Sequence, residues 1–252
     1  MSGRAGLRSN PPPARLFGPV VRGGDRPYPA AMLAEAPTAD PVQLHGWRYS
    51  VYTRIVRLAL LSKPVEHETI EVDPFAELSE AYLELHPFGR VPVLTHGAFE
   101  LFETGAITRY VDRAFPGPSL QPGSASALAR MDQVISVADS YAYWPMVRQV
   151  SSHAFFRPFF GEPSSRAEID SGLEASRKVL SFLDEVAGEG LVLGGRDLTL
   201  ADCHLAPMMD YFVRAEEGKA ALLSHPALQA WWDRVSLLDV LKSTDPFAVH
   251  AL

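Results

Sequence analysis

The spacing of apolar residues divides this chain into two regions with different periodicity. Val42-Gln43-Leu44-His45 reads as a short strand, and after Gly46 a turn leads into a helix over residues 52–62. There Val51, Ile55, Leu58, Ala59 and Leu61 recur at helical spacing, and Pro64 lies just beyond the end. Residues 65–72 alternate apolar with charged positions, as a half-exposed strand does. Residues 75–85 form a second helical stretch and 91–95 a third strand. A fourth strand, 98–102, follows the turn at His96-Gly97, and residues 104–114 close the unit as a helix. The order βαβ-α-ββ-α places helices on both faces of a small mixed sheet.

The pattern changes after Pro116-Gly117-Pro118. Residues 117–126 are rich in Pro, Gly and Ser and read as a linker between a first domain, 41–116, and a second, 127–252. Beyond it no segment has strand periodicity. Residues 125–156, 165–187, 200–214 and 227–238 each carry apolar residues three and four apart, as in a helical bundle. At the other end, residues 1–40 hold Pro11-Pro12-Pro13, Gly23-Gly24 and Arg26-Pro27 without either periodicity and are expected to be disordered. They lack the apolar core of a secretory signal. A start of translation at Met32 would remove most of them.

Composition narrows the function classes. A formal net charge of -7 without any dense Lys/Arg stripe argues against nucleic acid as a partner. The longest apolar runs, such as 55–61, are broken by Arg57, so no membrane insertion is expected. Cys203 is the single cysteine, which excludes an intramolecular disulfide, a Cys-x-x-Cys pair and a Cys-rich zinc site, and suits a reducing cytoplasm. Its helical setting makes it a small buried hydrophobe. The eight histidines show no metal-binding spacing, so no metal is expected.

Four windows carry chemistry or its support. In His86-Pro87-Phe88-Gly89-Arg90-Val91-Pro92-Val93-Leu94 a glycine turn enters a strand whose second residue, Pro92, lacks an N–H. The Val91 backbone would then be free to pair with an extended ligand, although Pro92 starting an edge strand fits equally. Phe102-Glu103-Thr104-Gly105 opens a helix, where unpaired N–H groups and the Thr104 hydroxyl suit a carboxylate and Glu103 suits an ammonium group. Both residues acting as caps of their own helix fits too. Ser50 stands at the first turn after strand one, where its hydroxyl could donate to an anion or merely cap a helix. Leu198-Thr199-Leu200-Ala201-Asp202-Cys203 is a capping box before an apolar run, with Leu198 placed to staple onto Cys203. Removing the Asp202 side chain there should cost about 1 kcal/mol or more.

Taken in order, these windows resemble the glutathione transferases, especially their serine-type classes, over residues 42–245. The resemblance implies a thioredoxin-like α/β first domain and an all-helical second domain. It implies that Ser50 donates to the glutathione sulfur, that Val91 holds the cysteinyl backbone across a cis Val91-Pro92 bond, and that Arg90 approaches the glycyl carboxylate. Glu103-Thr104 matches the pair that holds the γ-glutamyl group. His86 replaces the family's Asn at the start of its turn, and Ala76, Glu77 and Leu78 stand where phi-class members often carry a His or Lys. Leu193-Gly194-Gly195-Arg196 and Trp231-Trp232-Asp233-Arg234 are similar to the surroundings of the family's capping box.

A second-substrate pocket is expected near Tyr49, Tyr141, Trp144 and Arg148, with Tyr143, Phe155, Phe156, Phe159 and Phe160 mainly in packing roles. Tyr49 or Tyr52 could replace Ser50 as hydroxyl donor. The implied chemistry needs no cofactor beyond glutathione as co-substrate. Its thiolate would attack a small electrophile in conjugation, ether cleavage, dehalogenation or peroxide reduction, a detoxification role, in a cytoplasmic homodimer. The competing reading is a non-catalytic glutathione-binding or interaction protein with the same fold.

Overall fold

Alternation along Val42–Gly46 sets the first strand, β1: Val42, Leu44 and Gly46 are buried while Gln43 and His45 are half-exposed. In the computed structural model, which describes residues 40–194 and 197–248, β1 is followed by α1 (Val51–Ser62), β2 (Glu68–Glu71), α2 (Glu80–Leu85), β3 (Val93–His96), β4 (Phe99–Phe102) and α3 (Thr104–Ala114). The strands lie in the order β2-β1-β3-β4. β1 runs parallel to β2 and antiparallel to β3, and β3 runs antiparallel to β4. The expected disorder of residues 1–40 and the possible start at Met32 concern positions that, apart from residue 40, lie outside the described residues, as do Gly195 and Arg196.

Two elements are shorter than their apolar pattern. The strand expected over 65–72 begins only at Glu68, because the Val65 N–H still closes α1 through the Leu60 carbonyl (3.0 Å) and the His67 Nδ1 lies 2.9 Å from the Val65 carbonyl oxygen. The helix expected over 75–85 begins at Glu80, where the Ser79 hydroxyl accepts from the Tyr82 N–H (3.2 Å). Upstream, the Asp73 carboxylate accepts from the Phe75 N–H (2.9 Å) and holds that stretch as a turn.

The rest of the chain is helical: α4 (Ala125–Val137), a π-type continuation (Ala138–Phe156), α5 (Arg157–Phe159), α6 (Arg166–Glu189), α7 (Leu200–Val213), α8 (Glu216–Leu222), α9 (Pro226–Val235) and α10 (Asp239–Lys242). The single long helix expected over 125–156 thus changes its hydrogen bonding at Ala138. Three short helices, α5, α8 and α10, were not expected from the pattern.

α7 is buried on nearly every face and forms the axis of the helical part, packing on α1, α4, the π-type stretch, α8 and α9. α1 is likewise buried almost all round, since it packs on β1, α3, α7 and α10. One contiguous core joins Leu44, Ile55 and Leu94 to Met131, Leu205 and Phe212.

Polar groups pin the junctions. The buried Lys63 ammonium donates to the Asp112 carboxylate (3.1 Å), the Asp112 carbonyl (2.8 Å) and the Pro118 carbonyl (3.1 Å). Asp112 also accepts from the Leu120 N–H (2.7 Å) and the Gln121 amide (2.8 Å). Burial pushes its carboxyl up, but the Leu120 and Gln121 donors and the Lys63 ammonium together hold it below the usual carboxylate range. At the start of α7, Thr199 and Asp202 form the reciprocal capping box, and Asp202 accepts a further bond from the Trp231 indole of α9 (2.8 Å). The two motifs noted separately in the sequence are therefore one contact.

Asp202→Ala is expected to destabilise the fold by about 2–4 kcal/mol, more than a lost cap alone, because the buried indole N–H is orphaned as well. Denaturant titration measures this, and a loss near 1 kcal/mol would show the Trp231 bond to be idle. For Asp112 the lowered folded-state pKa gives the sign of the pH effect. Its stabilisation is complete above the unfolded value of about 3.9 and is lost as pH falls through the folded value. The stability gap between the natural chain and Asp112→Asn should therefore be widest near neutral pH and close under acid conditions, as denaturant midpoints across pH would record.

Candidate active site

The sheet register brings three sequence windows to one end of the sheet. His45 pairs with Val93, and Val93 pairs with Phe102, so the end of β1, the start of β3 and the end of β4 are adjacent. The turn carrying Ser50, the Val91-Pro92 pair and the Glu103-Thr104 pair all extend from that end. Antiparallel pairing of β3 with both neighbours makes this unavoidable once the strand order is set.

At the first window the chain turns sharply from β1 into α1. A Cβ at Gly46 would lie 2.5 Å from the Thr53 side chain, so only glycine lets the helix approach the strand this closely. Ser50 caps α1 with extended backbone, and its Oγ accepts from the Thr53 N–H (3.3 Å). Capping uses one lone pair, so the hydroxyl hydrogen stays available to a ligand. The capping and donating roles of Ser50 are therefore compatible. Tyr211 donates to the Tyr49 carbonyl (3.2 Å) and fixes the residue before it.

The second window is a turn built on α2. Gly89 adopts a φ of 59°, and its N–H donates to the His86 carbonyl (2.9 Å). His86 is buried, and its Nδ1 accepts from the Phe88 N–H (3.4 Å), taking over the turn-closing bond that an Asn side chain makes in such turns. Burial pushes the His86 imidazole below its ordinary range, which keeps that nitrogen an acceptor. The Tyr82 phenol, pushed up to about 12 by burial, donates to the Arg90 carbonyl (2.6 Å). The Val91-Pro92 bond is cis, Pro92 is buried, and the Arg90 side chain is exposed. β3 itself begins only at Val93, one residue past the proline.

At the third window Glu103 occupies the N-cap of α3 with φ 71° and ψ 112°, a strained conformation for a residue with a side chain. Its carboxylate makes no capping bond to α3 and is exposed, whereas Thr104 is buried at the first helical position. In the first turn of α3 the Ala106 N–H donates to the Glu103 carbonyl (2.9 Å), which leaves the N–H groups of Thr104 and Gly105 without an acceptor in the helix.

Beside Ser50 stands a wall of rings. Tyr49 lies 5.3 Å from Trp47, 5.7 Å from Phe156, 5.2 Å from Phe160 and 5.3 Å from Phe247, measured between ring centroids. Phe156 and Phe160, expected mainly to pack, thus meet the residue next to Ser50. Tyr141 and Trp144 are 65% and 61% exposed, and among the described residues neither joins this wall; Arg148 is also exposed. The wall instead includes Trp47 and Phe247, which the sequence did not single out. Phe247 has no local signal because it is almost 200 residues from Tyr49 in sequence. Tyr52 packs on Tyr143 (4.9 Å), and burial together with the Asp139 carboxylate pushes its phenol well up. Cys203 is buried and its thiol is pushed up by burial, so it is no nucleophile.

A thioredoxin-like sheet with a capped helix start, a cis-proline turn and a carboxylate-ready helix N-terminus, backed by an all-helical part, defines a glutathione-binding protein of the transferase type. The comparisons agree. Residues 44–119 match the glutathione S-transferase N-terminal domain and residues 144–239 the glutathione S-transferase C-terminal domain. The chain is 31% identical over 192 residues to glutathione S-transferase F9 of Arabidopsis thaliana, covering 74% of this chain and 88% of that one. It is 29% identical to glutathione S-transferase F11 of the same plant, covering 83% and 99%. Among solved structures it superposes on glutathione S-transferase III in apo form with a TM-score of 0.71 at 28% identity, covering 81% and 95%. Glutathione transferase F2 from Populus trichocarpa gives 0.71 at 27%, covering 81% and 97%. The chain belongs to the glutathione S-transferase family, enzymes whose shared activity is the conjugation of glutathione.

Proposed function

We propose that Ser50 activates glutathione for attack on a small electrophile. The observation that carries this reading is the convergence of the Ser50, Val91 and Glu103-Thr104 windows at one end of the sheet. Glutathione would lie across it with its cysteinyl backbone on Val91 and its γ-glutamyl group between the Glu103 carboxylate, the Thr104 hydroxyl and the α3 N–H groups. Its glycyl carboxylate would lie near Arg90. The Ser50 hydroxyl would then meet the sulfur, aided by the positive end of α1.

A thiol titrates near pKa 8.5, and each unit of lowering corresponds to about 1.4 kcal/mol of thiolate stabilisation. A hydroxyl donor and a helix end together are suited to supply roughly two units. Tyr52 is a poor substitute, because its raised pKa follows from burial and from Asp139, a carboxylate that a nearby thiolate would only reinforce. The electrophile would enter against Tyr49, Trp47, Phe156 and Phe160, with conjugation, ether cleavage, dehalogenation or peroxide reduction all open to the same thiolate. A cytoplasmic setting accords with the single buried free cysteine.

A homodimer accords with the apolar side chains left in solvent on the turn beside the site, where Phe88 is 70% exposed against His86 and Phe102.

Light scattering should give about twice the 27.6 kDa chain mass; one chain's mass maintained as concentration rises would refute the dimer. The sharper test concerns the thiol. Ser50→Ala should keep most glutathione affinity, raise the pKa of the bound thiol and lower turnover roughly ten- to a hundredfold, the equivalent of about 1.5–3 kcal/mol from one charge-assisted hydrogen bond. Ser50→Ala also loses the α1 cap, at about 1 kcal/mol of stability, whereas Ser50→Asp keeps the cap but has no proton to give. Both should lose activity, and only the alanine variant should lose stability. Ultraviolet thiolate absorbance against pH, with Tyr49→Phe and Tyr52→Phe as controls, reads the donor directly. A pKa that rises only in a tyrosine variant would rule out the serine.

A further inference from the structure

Glutathione laid across the end of the sheet has a direction. The strands run β2-β1-β3-β4, and in the proposed placement the γ-glutamyl group lies at Glu103-Thr104, just past β4. With the cysteinyl backbone on Val91, the other end of the thiol points toward β1 and β2. Because β2 is parallel to β1, its last residue, Glu71, emerges at the same end as Gly46, and the Val72 N–H donates to the Gly46 carbonyl (3.1 Å).

A cleft of about 440 Å³ opens there between β1, β2 and α2. It borders the turn that carries Val91, since Tyr82, one of its lining residues, donates to the Arg90 carbonyl (2.6 Å). Glu71, Asp73 and Glu77 give it three carboxylates, and among the described residues that line it there is no lysine or arginine. Two of the three carboxylates are engaged. Glu71 accepts from the Arg48 N–H (3.1 Å), with the Arg48 Nε 3.8 Å away, and Asp73 accepts from the Phe75 N–H (2.9 Å). Glu77 is exposed and has no hydrogen bond or ion pair among the described residues. His45 lines the cleft as well, and its Nε2 is buried without a hydrogen-bond partner among the described residues. Burial holds the imidazole below its ordinary range in spite of the Glu68 carboxylate, so at neutral pH His45 adds a polar contact and no positive charge.

From this placement we infer that the cleft receives the C-terminal end of the thiol substrate. Glu77 makes it favour γ-glutamyl-cysteinyl thiols that end in an amide or an amide-linked amine over one that ends in a free carboxylate. The inference rests on the proposed placement of glutathione. A carboxylate at this end meets Arg90 on the side of the turn and the unanswered Glu77 on the side of the cleft, and the two charges oppose each other. A neutral amide escapes the repulsion, and an ammonium group turns it into attraction. Glu77 is in solvent, so its effect is screened and amounts to a few-fold preference.

The test is calorimetric binding of three S-methylglutathione probes at low ionic strength: the free acid, its C-terminal amide and its C-terminal 2-aminoethyl amide. Methylation of the sulfur keeps thiol ionisation out of the measurement. The amine probe should bind about three- to tenfold more tightly than the acid, with the amide between them, and the gap should narrow as salt is raised. Glu77→Gln should lower the amine-to-acid ratio about two- to fourfold, and Glu77→Lys should reverse the order. A natural chain that prefers the acid to both derivatives overturns the inference. A ratio unchanged in Glu77→Gln, or an equal loss for all three probes, overturns the role of Glu77. A natural chain that binds none of the probes would instead overturn the underlying assignment of the glutathione site, and this inference with it.

Discussion

Burying the Arg54 guanidinium strips it of water, and the protein can tolerate this only by surrounding it with acceptors. Those acceptors come from distant parts of the chain: a carboxylate on α7, a hydroxyl beyond α10 and a carbonyl within it. Satisfying one cation thus pulls the helical part and the chain beyond α9, its tail, onto α1. The same attachment brings Tyr211 to the Tyr49 carbonyl and Phe247 to the Tyr49 ring, so the turn that carries Ser50 is fixed from behind and walled at its side. A buried ion cluster of this kind is a poor source of net stability against an apolar alternative. What it supplies is a unique arrangement, since a sliding hydrophobic contact would leave the tail several seats and a guanidinium with three named acceptors leaves one.

A second constraint acts within the sheet. Because β3 runs antiparallel to β1 and β4, everything that enters β3 or leaves β1 and β4 emerges at one end. The three loops there are built differently. Gly46 permits close approach, the buried His86 and Tyr82 hold the cis-proline turn from below, and Glu103 is held in a strained conformation by its neighbours. In the first of them Ser50 caps α1 with a lone pair and keeps its proton.

Much of this was legible in the sequence, for physical reasons that can be traced. The β1-α1 and β4-α3 junctions stood out because glycine, serine and threonine sit where helix starts require them, and the capping box before α7 carries both of its partners within four residues. Boundaries were less legible where a local hydrogen bond overrode the apolar pattern, as Ser79 does in delaying α2 and the Leu60 carbonyl does in delaying β2. The helix over 125–156 was seen as one piece because apolar spacing does not distinguish α-type from π-type hydrogen bonding. Contacts between residues far apart in sequence left no trace: Asp202 with Trp231, and Phe247 with Tyr49. Tyr141, Trp144 and Arg148 were named from the resemblance rather than from their spacing, and all three are exposed.

The partners of Arg54 also bear on the order in which the chain is made. A ribosome releases the sheet and its helices long before Leu241 and Thr244, which are 187 and 190 residues further along. During that interval the sheet and its helices cannot seal Arg54 into their core without leaving it unanswered, so α1 must stay open on the face that α7 and the tail will later cover. The sheet and its helices therefore keep that face, and the Arg54 guanidinium on it, in water until the last turns of the chain arrive, and only then does the cation exchange water for its three acceptors.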